Sequence, residues 1–327
     1  MNGNLPIENM VRITPVTLGK GLSFMYVFLN LNKLRSKKNI IIFCCIFCIA
    51  VAVFLELNFN SVSTVSVSEG YYVPVIMYHS ILKDSSLQGR YVVSPSQLES
   101  DLEYLKENGY TSITVSDLLA YVEEGVPLPE KPVMLTFDDG YYNNYLYAYP
   151  LMKKYGFKMV LSVIGKFSDE FSQTADENAY YSHCTWDQLR EMELSGYVEV
   201  QNHSYDMHST DKGRNGTKKN SWESVDNYKE ILSKDILKCQ NYLVEQSGIT
   251  PTAFTYPFGA ISSESVDILK DLGFKASFSC ENKMNLITRD PDCLFGIDRF
   301  IRPSGEASQT YFESTVKIDQ YVNIPID

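Results

Sequence analysis

Asp138 and Asp139 stand side by side after an apolar run, Val133 to Phe137, and are followed by Gly140. Such a run reads as a buried strand. Asp and Gly are ordinary turn residues, so an isolated DDG would be no more than a solvated turn. The histidines give the pair chemical interest. The chain has only four, His79, His183, His203 and His208, and three of them fall at or just after strand-like runs. Two His plus one carboxylate, with a coordination position left open, is a common catalytic arrangement for zinc or a comparable divalent ion. His203 and His208 are five apart in "VEVQNHSYDMH". On one continuous helix that spacing turns the rings off a common face, so a loop must bring them together. A metal-dependent hydrolase needs one carboxylate as ligand and another to take a proton from the attacking water. Neighbouring side chains at a strand end point in different directions, which lets two adjacent aspartates divide those tasks.

Positioning such residues requires a scaffold that gathers strand ends. From Tyr71 onward, apolar strand-like runs ("YVPVIMYHS", "PVMLTFDDG", "KMVLSVIG", "YVEVQNHS", "TAFTYPFG", "FKASFSC", "FGIDRFIRP") alternate with helix-like segments. In "SPSQLESDLEYLKENG", Ser94 is a candidate cap, and Leu98, Leu102 and Leu105 form an apolar face that ends before Gly109. The alternation predicts an α/β domain with a mainly parallel sheet, open or closed into a barrel. In barrels of this kind, chemistry collects at the C-terminal ends of the strands. The absence of GxGxxG and GxxxxGK patterns excludes the familiar dinucleotide and P-loop sites.

Residues 71–327 carry 37 Asp/Glu against 23 Lys/Arg. This acidic balance argues against a nucleic-acid partner, and it would tolerate a cationic polymer. Ahead of that region, residues 39–58 are long and apolar enough for one membrane span. Lys33, Arg35, Lys37 and Lys38 precede the span, which places residues 1–38 in the cytoplasm by the positive-inside rule. Residues 59–70 then read as a Ser-rich tether, and residues 71–327 as the exported domain. The expectation is a single-pass cell-membrane protein with its catalytic domain outside; secretion after signal cleavage is the alternative. Cys184, Cys239, Cys280 and Cys293 have no CxxC spacing, so zinc on sulfur is not expected, while disulfides are permitted outside the cell.

The order "TFDDG", "HSYDMH", "TYPFG" resembles the polysaccharide deacetylase (NodB-homology) family over about residues 71–303. The opening "PVIMYHSI", the His spacing and "YPFG" look most like the branch that deacetylates poly-β-1,6-N-acetylglucosamine. The resemblance implies a distorted (β/α) barrel, here preceded by the N-terminal transmembrane helix. It also implies a divalent metal, zinc or else cobalt, nickel or iron(II), held by Asp139, His203 and His208. Asp138 takes the place of the catalytic base, and the backbone N–H of Phe258 helps hold the oxyanion. Most of the family takes its general acid from a histidine near the C-terminus, and no histidine follows His208 here. Resemblance to the exopolysaccharide branch, where the histidine of the opening "MYHS" fills that role, implies His79 as the acid. Thr255 stands where many members have an arginine that orients the base; Asp298 and Arg299 of "GIDRFIRP" are the candidate substitutes. His183 matches no motif and is read as structural or exposed. Tyr141, Tyr142, Trp186 and Trp222 are candidates for stacking on sugar rings.

The implied function is removal of acetyl groups from N-acetylglucosamine units of an extracellular polysaccharide, in association with exopolysaccharide synthesis or export machinery. The alternatives are a peptidoglycan N-deacetylase, a wall-polysaccharide O-acetyl esterase and, in another class, a catalytically silent sugar-binding wall protein. The complete set of candidate catalytic residues argues against silence.

Overall fold

The computed structural model describes residues 70–174 and 176–321. The expected span at 39–58 lies outside the described residues, and among those described no helix is long and apolar enough to cross a membrane. Twelve strands are described, and seven form the central parallel sheet. In spatial order these are β10 (Ala276–Phe278), β9 (Ala253–Thr255), β8 (Val198–Asn202), β7 (Met159–Val163), β6 (Pro132–Phe137), β2 (Val75–Tyr78) and β12 (Phe300–Ile301). β5 (Thr111–Ser112) adds to the start of β6. The sheet curls into a half-barrel, whose two edges share only the single parallel bridge Phe278↔Ile297. That is looser than the closed ladder a (β/α) barrel implies, because the last strand contributes only two paired residues, Phe300 and Ile301.

The strands form where the apolar runs predict them. β6 and β7 are buried at every position, as strands covered on both faces should be. "YVPVIMYHS" is not one strand, however. Pro74, which has no N–H, separates β1 (Gly70–Val73) from β2. β1 pairs antiparallel with β11 (Asn285–Thr288), in the register Gly70↔Thr288 to Val73↔Asn285. The folded domain therefore begins within the expected tether and includes its last residue, Gly70. Pairing explains the glycine, since a Cβ there would lie 2.6 Å from the Ile287 carbonyl oxygen.

Helix ends follow local chemistry. Ser94 Oγ accepts from Gln97 N at 3.0 Å and starts the helix Pro95–Glu107, whose Leu98, Leu102 and Leu105 are buried. Thr185 and Gln188 form a capping box on Trp186–Leu194. All four described cysteines are free thiols, so the permitted disulfides are not formed.

Candidate active site

β6 delivers the two aspartates. Asp138 N continues the ladder with β2 by donating to the Tyr78 carbonyl at 3.1 Å. The chain then reverses through two left-handed residues, Asp139 (φ 70°) and Gly140 (φ 72°). Glycine suits the second position sterically as well as conformationally, since a Cβ would lie 2.9 Å from Val163 Cγ1. Asp139 carries a conformation unusual for a residue with a Cβ, and the reversal sends the two carboxylates apart. Asp138 meets Arg299 and His79, while Asp139 meets His203 and His208.

β8 supplies the histidines through a loop held at several points. Asn202 Oδ1 accepts from Ser204 N at 2.9 Å, where the chain again turns with positive φ. Asp235 receives the N–H groups of Tyr205 and Asp206 at 2.8 and 2.9 Å. This anchoring folds His208 back until its ring centroid is 5.0 Å from that of His203.

The Asp139, His203 and His208 donor atoms all lie within 4.8 Å of one another. Among the described residues Asp139 Oδ1 has no partner at ordinary hydrogen-bond geometry, yet it sits 3.5 Å from His203 Nε2 and 3.4 Å from His208 Nε2. His203 Nδ1 lies 2.7 Å from the Thr255 carbonyl, which can only accept, so Nδ1 carries a proton. The Nε2 lone pair of the neutral ring therefore faces a carboxylate oxygen, and a positive charge is required between them. In the absence of a metal, a proton serves. Burial opposes charge on His203, but Asp139 and Asp138 outweigh it and hold its pKa above the usual value. Burial lowers that of His208, assisted by His203, and keeps the ring in its neutral, ligating form. A carboxylate oxygen and two imidazoles, one oriented by a backbone carbonyl, fit a catalytic divalent-metal site.

Asp138 is in a different electrostatic setting. Arg299 Nη1 and Nη2 donate to its Oδ1 and Oδ2 at 2.7 and 2.8 Å, while Arg299 Nε donates to the Ser279 carbonyl at 2.7 Å. The arginine is 1% exposed. Burial alone would raise the Asp138 pKa, but the guanidinium, with His203 and His79, holds it below the ordinary value. The carboxylate is thus ionised and free of the ligand set. Asp298, next in sequence, takes a hydrogen bond from Ser279 Oγ at 2.5 Å instead of joining this cluster. Thr255 has its Oγ1 2.6 Å from Ser162 Oγ, and its carbonyl orients His203.

His79 Nε2 lies 3.9 Å from Asp138 Oδ2. Burial lowers its pKa, against the pull of Asp138 and Asp139. Phe258 stands in the turn Pro257–Gly259 with φ 60°. These groups converge on a cavity of about 440 Å³ lined also by Tyr91, Tyr141 and Cys280. That volume falls within the range of small-ligand pockets.

Residues 125–277 match the polysaccharide deacetylase family. The chain carries a polysaccharide deacetylase domain. It is similar to a de-N-acetylase from Aggregatibacter actinomycetemcomitans, at 27% identity and TM-score 0.62, covering 74% of this chain and 99% of that one. It is also similar to IcaB from Ammonifex degensii, at 26% identity and TM-score 0.60, covering 78% and 98%. The poly-beta-1,6-N-acetyl-D-glucosamine N-deacetylase of Escherichia coli is 27% identical over 234 residues, 63% of this chain. The chain spans about a third of that relative's length. His79 and Arg299 lie outside the matched residues of the deacetylase domain; His79 directly follows β2 and Arg299 directly precedes β12.

His183, which matches no motif, is buried and has a definite task. Its Nδ1 is 2.9 Å from the Asp139 carbonyl, and its ring packs on Phe167 at 4.5 Å and Tyr141 at 4.7 Å between centroids. It braces the strained residue of the deacetylase domain that carries the ligand carboxylate. Asp235 was also missed, because nothing local distinguishes an acid within a helix that supports a loop about thirty residues away. Of the stacking candidates, Tyr142 and Trp186 are buried and do not line this cavity; Tyr141 lines it and Trp222 is exposed elsewhere.

Proposed function

We propose that the domain is a metal-dependent N-deacetylase acting on N-acetylglucosamine units of an extracellular polysaccharide, poly-β-1,6-N-acetylglucosamine in particular. The observation that carries this reading is the division of labour between adjacent aspartates: Asp138 is paired with Arg299, while Asp139 faces two imidazole nitrogens in the same cavity. A divalent ion held by Asp139, His203 and His208 would supply Lewis-acid chemistry, polarising the acetyl carbonyl and acidifying water. Asp138, fixed by two hydrogen bonds from Arg299, accepts the proton of the attacking water. The Phe258 N–H donates to the carbonyl oxygen as negative charge develops there. His79 gives a proton to the departing sugar nitrogen as the C–N bond breaks, leaving acetate and a free amine. The names of the relatives support this substrate class.

The test is product analysis with the full chain on poly-β-1,6-N-acetylglucosamine, chitin oligomers and peptidoglycan in parallel, with and without a chelator. Acetate release and new amines on the first polymer alone, abolished by the chelator, are expected. Release from peptidoglycan alone, or none from any polymer, would overturn the assignment. The same reading includes an uncleaved anchor at 39–58 with the domain outside the cell. Full-length protein in the membrane fraction, cut by protease added to intact cells, is the outcome expected of it.

A further inference from the structure

The four histidines are not held alike. His203 has its Nδ1 tied to the Thr255 carbonyl, and His183 has its Nδ1 tied to that of Asp139. His79 Nδ1 is buried without a hydrogen-bond partner among the described residues. A hydrogen bond therefore does not set the rotation of this imidazole. Its ring instead lies against Tyr91, centroid to centroid 4.9 Å, at 67° between planes. Edge-to-face contacts of this kind have a preferred geometry and restrict both rings.

Tyr91 is itself firmly placed. The short parallel pair Ser80–Ile81 and Val92–Val93 continues directly from His79, with Ser80 N donating to the Tyr91 carbonyl at 3.1 Å and Leu82 N to that of Val93 at 3.0 Å. The backbone that carries the imidazole and the backbone that carries the phenol are thus one hydrogen-bonded unit. The side chain nevertheless remains 51% exposed and lines the cavity. Among the described large apolar side chains that are well exposed, only Tyr91 and Phe258 line it. Phe258 is 45% exposed, and its ring centroid is 4.4 Å from that of His208. The Arg90 guanidinium lies 5.5 Å from the Tyr91 ring centroid and adds polar donors at the same wall.

We propose that Tyr91 is a positioning residue with two contacts: part of its ring fixes the orientation of His79, and the exposed part is the platform for the sugar whose acetamido group enters the site. A pyranose presents an apolar face of C–H groups, which an exposed aromatic ring covers without dehydrating the sugar's hydroxyls. A sugar resting on Tyr91 is in contact with the ring that orients His79, so substrate binding and acid alignment share one side chain. This inference rests on the deacetylase reading above.

The experiment compares the wild-type chain with Tyr91→Phe and Tyr91→Leu. Three quantities are measured: turnover of a β-1,6-linked N-acetylglucosamine oligomer, turnover of an activated phenyl acetate, and binding of the oligomer to the metal-free protein by calorimetry. The wild-type chain must first release acetate from the oligomer; failure there sinks the deacetylase reading itself, whatever Tyr91 does. Given that turnover, Tyr91→Phe is expected to stay within about threefold of wild type throughout, because the ring and not the hydroxyl makes both contacts. Tyr91→Leu is expected to weaken oligomer binding about tenfold, on the scale of one lost aromatic contact. Its kcat on the oligomer should fall about 10- to 100-fold, with phenyl acetate nearly unaffected, because only the amide needs the acid. Equal losses on amide and ester, unchanged oligomer binding, or a Tyr91→Phe variant as impaired as Tyr91→Leu would each overturn the proposal. Bound metal and the melting temperature, measured on the same samples, separate these outcomes from a failure to fold.

Discussion

Replacing Arg299 by Met removes both hydrogen bonds to Asp138 and leaves a side chain of similar length in the same buried slot. The carboxylate it abandons is 3% exposed and touches only the cavity, so water replaces the lost bonds only in part. Removing one partner of a buried ion pair costs about 3–5 kcal/mol, because the remaining charge stays desolvated. That is a large share of the roughly 5–15 kcal/mol that holds a domain folded. Asp138 can relieve the loss only by taking up a proton. In the native protein its pKa lies below the ordinary value, so this group contributes stability above the pKa of the unfolded chain and loses it as pH falls through the folded value. Without Arg299 the burial effect dominates and the sign reverses: the folded pKa rises above the unfolded one. The stability gap between wild type and variant is therefore widest near neutrality and narrows on acidification. The base must be ionised to work, so the acid limb of kcat/KM moves to higher pH, and below it the rate falls about tenfold per pH unit. Urea denaturation at several pH values, with pH–rate profiles on the same samples, checks both expectations. Arg299→Lys keeps the charge without the two-pronged geometry and should fall between wild type and the Met variant. An unmoved acid limb in Arg299→Met, together with a pH-independent stability gap, would refute the assignment of Arg299 to the base.

Asp139→Ala, His203→Ala and His208→Ala should each abolish tightly bound divalent metal and activity, as read by metal analysis beside turnover. In wild type, metal uptake should release a proton, because Asp139 and Asp138 raise the His203 pKa in the metal-free site, so affinity should fall as pH is lowered; calorimetry in buffers of different ionisation enthalpy measures this. Asp138→Asn should keep its metal but lose about two or more orders of magnitude in rate, the scale of a lost general base. Metal loss equal to that of Asp139→Ala would remove the distinction between the aspartates. His79→Ala should slow amide hydrolysis by about two to four orders of magnitude while affecting an activated ester far less, since a phenolate leaves without protonation; equal losses on both substrates would return His79 to a packing role.

What the sequence determined by itself was local and covalently ordered. An apolar run followed by DDG gives a strand end with two carboxylates, and Ser94 before a Leu-spaced segment gives a capped helix. His203 and His208, five apart, require a loop, and the order of the motifs carries the family resemblance. Periodicity and capping involve neighbours only, so they are legible without coordinates. The partners of Asp138 are not of this kind. Asp298 and Arg299 are adjacent, and no composition or motif separates them; the fold points Arg299 at the base and Asp298 at Ser279. Arg299 reaches Asp138 across 161 residues of chain only because β12 and β6 both flank β2, an order set by sheet packing. Thr255 could look like a missing arginine in the sequence, whereas in the fold the guanidinium arrives from another strand end and Thr255 orients His203. His183 and Tyr91 illustrate the same limit. Each acts on a residue brought near by strand pairing, His183 on Asp139 through the Tyr141↔His183 bridge and Tyr91 on His79 through the Ser80–Ile81 pair. Which distant strand ends meet depends on the summed packing of the whole core, and no local stretch of sequence encodes it.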